Sequence, residues 1–166
     1  LARWTGAALA LLALVPVAGC GGGSGVQSGA TVNVYVSVPL SGPQAAAGRA
    51  SCDGARRVAG RNGGRVGEVR VRVLCLDDSD RSQAWSLAAV GANARRAVQD
   101  SSSVAYVGEL DPAAGRFSET ILAAAEIAQL PAADGAAAMR RVLAAIRGAG
   151  GSSALRSAVL EELEAS

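Results

Sequence analysis

Histidine and lysine are both missing from this 166-residue sequence, and each absence removes a class of chemistry. Without histidine there is no Ser-His-Asp triad and no imidazole-bound zinc. Without lysine there is no Schiff base and no Walker-type phosphate lysine. Aromatic residues are scarce, with two Trp, two Tyr and one Phe, so a core must be made of Ala, Val and Leu. An excess of one charge is lacking too. Sixteen basic residues, all Arg, stand against fourteen acidic ones, which excludes the basic stripe of a nucleic-acid binder.

What remains does not assemble a catalytic centre. Gly21–Gly23 follow no strand and so make no phosphate loop. Asp77-Asp78 reads as a cap on the loop after a strand, not as a general acid–base pair. No nucleophile–base pair is present, so the expectation is a protein that is not an enzyme, with no catalytic residue, metal ligand or cofactor. Trp85 and Phe117 are expected in the core, and Glu109 and Arg116 as solvated surface charges.

The N-terminus reads as an address. "GAALALLALVPVAG" (6–19) is an apolar run, short for a membrane span, preceded by Arg3 and closed by small residues, which is the layout of an export signal. Val17-Ala18-Gly19-Cys20 looks like a bacterial lipobox, in which the cysteine is acylated and anchors the chain to the bilayer. The expected division is a signal peptide over 1–19 and a lipidated, flexible tether over 20–30. The mature protein would then be extracytoplasmic and held at the bacterial cell membrane by lipid. The initial Leu and the single Arg suggest an alternative start codon or a clipped N-terminus. Setting Cys20 aside leaves Cys52 and Cys75 in an oxidising compartment, either bridged or as two buried thiols.

Further along, the pattern becomes regular. Strands are predicted at 31–38, 69–76 and 104–108, and helices at 44–59, 84–100 and 112–128. This alternation implies crossover connections and a parallel sheet with its loops 39–44, 77–82 and 109–112 along one rim. The tail is different. Met139, Val142, Leu143 and Ile146 share one helical face, and Leu155, Val159 and Leu163 another, as in a helical hairpin.

The segments "YVSVPLSGPQAAAGRASCDGAR", "RVRVLCLDDSD" and "ANARRAVQDSSSVAYVGELD" resemble, in order and spacing, the first lobe of type 1 periplasmic binding proteins. These are the branched-chain amino-acid (Leu/Ile/Val) receptors of ABC transporters. The resemblance covers roughly 31–131, and "AAAMRRVLAAIRGAGG" resembles the late helix that packs back on that lobe. It implies an α/β fold: a three-layer, Rossmann-like parallel sheet over 31–131, with C-terminal helices over 135–166 packing on it. A second lobe has no counterpart, and the join falls near "QLPAADG", as in a truncated or internally deleted receptor.

The resemblance also implies a ligand set. Leu40, Ser41 and Gly42 match the first turn, and Leu110, Asp111, Ala113 and Gly115 match the loop after the third strand. Where the family offers an aromatic before the helix glycine, this chain has Ala47. Where the family offers hydroxyls, it has Pro112-Ala113-Ala114-Gly115, which reads first as a capped helix start. The implied partners are a small-molecule solute such as an amino acid, an ABC permease and the lipid bilayer. A homodimer along the third strand's open edge is a further expectation. Two functions stand side by side: a substrate-binding lipoprotein of an ABC transporter, and a lipid-anchored accessory module or receptor remnant that binds no solute.

Overall fold

Alternation in "TVNVYVSV" decides the architecture. Val32, Val34, Val36 and Val38 of strand β1 (Thr31–Val38) all face one buried layer, while Tyr35 belongs to a second hydrophobic cluster on the opposite face. Successive residues of a strand point to opposite faces, so a strand with both sets buried must be central. The computed structural model describes residues 31–80, 85–150 and 156–166. The expected signal segment, Cys20 and the expected tether lie outside the described residues.

The remaining elements follow in order: α1 (Ala45–Gly60), β2 (Arg65–Val66), β3 (Val69–Asp77), α2 (Leu87–Gln99), β4 (Ser103–Val107), α3 (Pro112–Ala123), β5 (Ala128–Leu130), α4 (Gly135–Gly148) and α5 (Arg156–Glu164). The sheet order is β2-β3-β1-β4-β5. β1 runs parallel to β3 and β4, β4 runs parallel to β5, and only the two-residue β2 is antiparallel. One face is covered by α1, α4 and α5 over Val and Ala side chains with Met139, Val142, Ile146, Val159 and Leu163. The other face carries α2 and α3 over Tyr35, Tyr106, Leu122 and Ile127.

Five expectations are corrected here. The helix expected over 112–128 ends at Ala123. Glu126 then turns with φ 54°, and Ala128–Leu130 pair with Ala105–Val107 as β5. The Ala-rich run "ILAAAEIAQL" continues a helical pattern, and only pairing with β4 makes its end a strand. The sheet therefore has five strands and not three, and β5 covers the β4 edge on which the homodimer was expected. Phe117 is not a core residue, being 37% exposed, and Trp85 belongs to neither core cluster.

Cys52 of α1 and Cys75 of β3 form a disulfide, with their Cα atoms 6.0 Å apart. Helix α4 lies against α1 through small residues. Gly54 approaches Ala136, and a Cβ on Gly135 would land on the Ser51 carbonyl, while the Ser51 hydroxyl donates to Ala132 O at 2.6 Å. Gly135→Ala is therefore expected to destabilise the fold by about 1–3 kcal/mol through overpacking. Gly60→Ala, which meets nothing within 4 Å, is expected to stay within about 0.5 kcal/mol of the wild type. Denaturant unfolding of the two variants checks the contrast. At the other end of the sheet Arg156 fastens α5 by donating to the carbonyls of Ser103 (2.9 Å), Ala125 (3.2 Å) and Asp100 (2.8 Å).

Candidate functional site

Because β1, β3, β4 and β5 are parallel, the loops after them share one rim, where open α/β sheets hold their ligands. The rim is divided in two.

On the β3 side the first turn is tied to the loop after β3. Asp77 Oδ1 accepts from Leu40 N (2.8 Å), Ser79 N (3.0 Å) and the Ser79 hydroxyl (2.6 Å). The Ser41 and Ser79 hydroxyls share a hydrogen bond at 2.7 Å, and Gly42 makes the turn at φ 72°. Burial pushes the Asp77 carboxyl up, but the hydrogen bonds from Ser79 and Leu40 outweigh it and hold it below the usual carboxylate range. Asp77 is thus a loop cap. Leu40, Ser41 and Gly42 serve this knot and line no part of the cleft described next.

On the β5 side lies a cleft of about 480 Å³. One wall is the β4–α3 loop, Gly108 to Pro112, joined by Gly115, Arg116 and Glu119 of α3. The other is Gln129, Pro131 and Ala133, from β5 and the loop after it. Leu110, Asp111 and Gly115 of the expected ligand set therefore meet here, whereas Ala113 is spent elsewhere. Asp111 caps α3, accepting from Ala113 N at 2.7 Å and Ala114 N at 3.2 Å. Those N–H groups keep its carboxyl below the usual range. Asp134 caps α4 in the same way, from Ala137 N at 2.9 Å.

Gln129, Pro131 and Ala133 carry no sequence signal because the pattern before them predicts a helix over 112–128 and no β5; Gln129 lies in that strand and the other two follow it. Gln129 crosses between the walls. Its amide nitrogen donates to Gly108 O (2.8 Å), Gly115 O (3.1 Å) and the Ser118 hydroxyl (3.1 Å).

A partly buried polar chain runs through the rim. Asn93 donates to the Ser37 hydroxyl and to Asp77 O, each at 3.0 Å. The Tyr106 hydroxyl donates to Glu109 Oε1 at 2.8 Å. Asp78 is fully buried and Glu109 nearly so. Burial, then the neighbouring Glu109 carboxylate, push the Asp78 carboxyl up to about 9, so at neutral pH Asp78 is a neutral acid beside Glu109. Burial and the Glu109 charge raise the Tyr106 hydroxyl as well. Glu109 is thus not the surface charge expected from sequence. Its side chain falls on the α2–α3 side, enclosed by Tyr106 and Asp78.

Among solved structures, the chain is similar to a protein of Rhodospirillum rubrum assigned to branched-chain amino acid ABC transport. The identity is 25% and the TM-score 0.54, over 61% of this chain and 28% of that one. The fold is that of one lobe of a type 1 periplasmic binding protein. Two further structures share it: the leucine-binding protein LivK of Thermotoga maritima (23% identity, TM-score 0.51, 60% of this chain and 27% of that one), and a Rhodopseudomonas palustris solute-binding protein in complex with 4-hydroxybenzoate (20%, 0.53, 61% and 26%). This lobe spans little more than a quarter of the length of these proteins. No family profile and no curated protein matches the sequence. Among the described residues of the lobe, no helix is long and apolar enough to cross a membrane.

Proposed function

We propose that this lobe is a solute-capturing component of an ABC importer, held outside the cytoplasm by lipid on Cys20 and presenting its solute to a permease. The observation that carries the reading is the cleft, built where two successive β–α loops converge at the carboxyl ends of β4 and β5. It has a size suited to a small organic molecule. The Cys52–Cys75 disulfide supports an oxidising compartment. An amino acid of the branched-chain type is the solute suggested by similarity to the Rhodospirillum rubrum protein.

Calorimetric titration of the full chain with a panel of small amino acids, amines and aromatic acids tests this. Saturable heats for at least one class are expected. Flat heats across the panel at millimolar concentration would favour the second reading, a lipid-anchored accessory module. One observation speaks for that alternative: Leu40 and Ser41 are engaged by Asp77 and Ser79, and neither they nor Gly42 line the cleft.

A further inference from the structure

The cleft has an uneven supply of hydrogen-bonding groups, and the imbalance selects among solutes. Acceptors dominate. Among the described residues that line it, Asp111 and Glu119 carry carboxylates that stand against one cation, Arg116, whose charge already bears on Asp111. Several donors are missing or used. Pro112 and Pro131 have no N–H to offer, and the N–H groups of Ala113 and Ala114 belong to the Asp111 cap.

Gln129 spends its amide nitrogen on two carbonyls and a hydroxyl, which fixes the orientation of its side chain because a carbonyl needs a donor. Its Oε1 is left buried with no partner. Both carboxyl oxygens of Asp78 and Oε2 of Glu109 are likewise without a hydrogen-bond donor from the described residues.

Helix N-termini ordinarily receive anions. Here the α3 end beside the cleft is capped by the chain's own Asp111, and at α4 Asp134 takes the Ala137 N–H. A carboxylate entering the cleft would find the Ala113 and Ala114 N–H groups taken and like charge from Asp111 and Glu119 along its wall. An ammonium group would meet those two carboxylates, with Leu110 and the two prolines to cover an apolar body.

The geometry points to a half-cleft that takes the ammonium or other N–H-bearing end of an apolar solute and turns carboxylates away. This deepens the solute-binding reading and rests on it. Three ligands with the same isobutyl group separate the two ideas: leucine, isoamylamine (leucine without its carboxylate) and isocaproate (leucine without its amine). In calorimetric titration of the full chain, isoamylamine is expected to bind at least about ten-fold tighter than isocaproate, with leucine between them.

Glu119→Gln and Asp111→Asn, the latter still able to cap α3, are each expected to weaken isoamylamine by about two- to five-fold, the scale of an exposed charge pair. Both are expected to narrow its lead over isocaproate. Isocaproate or leucine binding as well as the amine, or an amine affinity indifferent to both substitutions, overturns the ligand class and leaves the solute reading standing. No binding of any of the three, together with flat heats across the wider panel, overturns both.

Discussion

Reduction of the Cys52–Cys75 disulfide is expected to lower the stability of the lobe by about 3 kcal/mol, the chain-entropy value for a loop of this order. The two cysteines are 23 residues apart, and the loop they close holds the second half of α1, the turn after it, β2 and most of β3. The bond fastens one helical layer to the sheet, and Cys75 lies opposite Val36 of the central strand.

An effect of this size matters because the core is shallow. Its largest fully buried side chains are Tyr106, Leu122, Met139 and Ile146, and the rest is mostly Val and Ala. A domain stable by only 5–15 kcal/mol in total loses a large share when about 3 is removed. Thermal unfolding with and without a strong reductant checks it, with an expected drop of roughly 6–12 °C. The double variant Cys52→Ala/Cys75→Ala should melt low and ignore the reductant. Identical melting of the wild type in both conditions would show that the bond adds nothing.

The second large effect is a pH dependence centred on Asp78. In the fold its carboxyl is pushed up to about 9, whereas in the unfolded chain it returns to an ordinary 3.8. Between those values the folded state holds a proton that the unfolded state has released, so raising the pH favours unfolding. The contribution is fully present below 3.8 and is lost as the pH rises toward 9. One linked proton corresponds to at most about 1.4 kcal/mol per pH unit.

Asp77 and Asp100 have the opposite sign. At Asp100, burial raises the carboxyl, but hydrogen bonds from Asn33, Ser102 and Tyr35 outweigh it and leave it lowered. The stability these two supply is present above the ordinary carboxylate range and is lost only in acid, so neither adds slope near neutrality. Urea unfolding at about pH 6 and about pH 8 should therefore show the wild type weaker at the higher pH. Asp78→Asn, whose amide can still donate to Glu109, should flatten the profile and overtake the wild type at about pH 8. Parallel profiles for the two proteins would remove Asp78 as the cause.

The elements with strong local patterns were legible from the sequence. β1 was placed at 31–38, and β3, β4 and α1 came within a residue or two, because β-branched runs and helix boundaries are signals carried by neighbouring residues. Asp111-Pro112 announced the start of α3 for the same reason: a capping carboxylate followed by an imide is a local device. What failed was short or dependent on remote partners. β2 and β5, of two and three residues, show no period, and each exists through its pairing with β3 or β4. The ligand set split for a related reason. Leu40, Ser41 and Gly42 lie on the same rim as Leu110 and Asp111, yet Asp77 and Ser79 claim Leu40 and Ser41 first.

By itself the amino-acid order determined the layer plan, since hydrophobic period and cap chemistry are properties of adjacent residues. It also determined what the protein lacks, because a missing histidine or lysine cannot be restored by folding. Only the tertiary structure decided that Asp78 and Glu109 meet at the rim, that Gln129 spans the cleft and that Cys52 reaches Cys75. Each of those pairs is brought together by a crossover of 14 to 31 residues, and the contact depends on which strands become neighbours, which no single segment encodes.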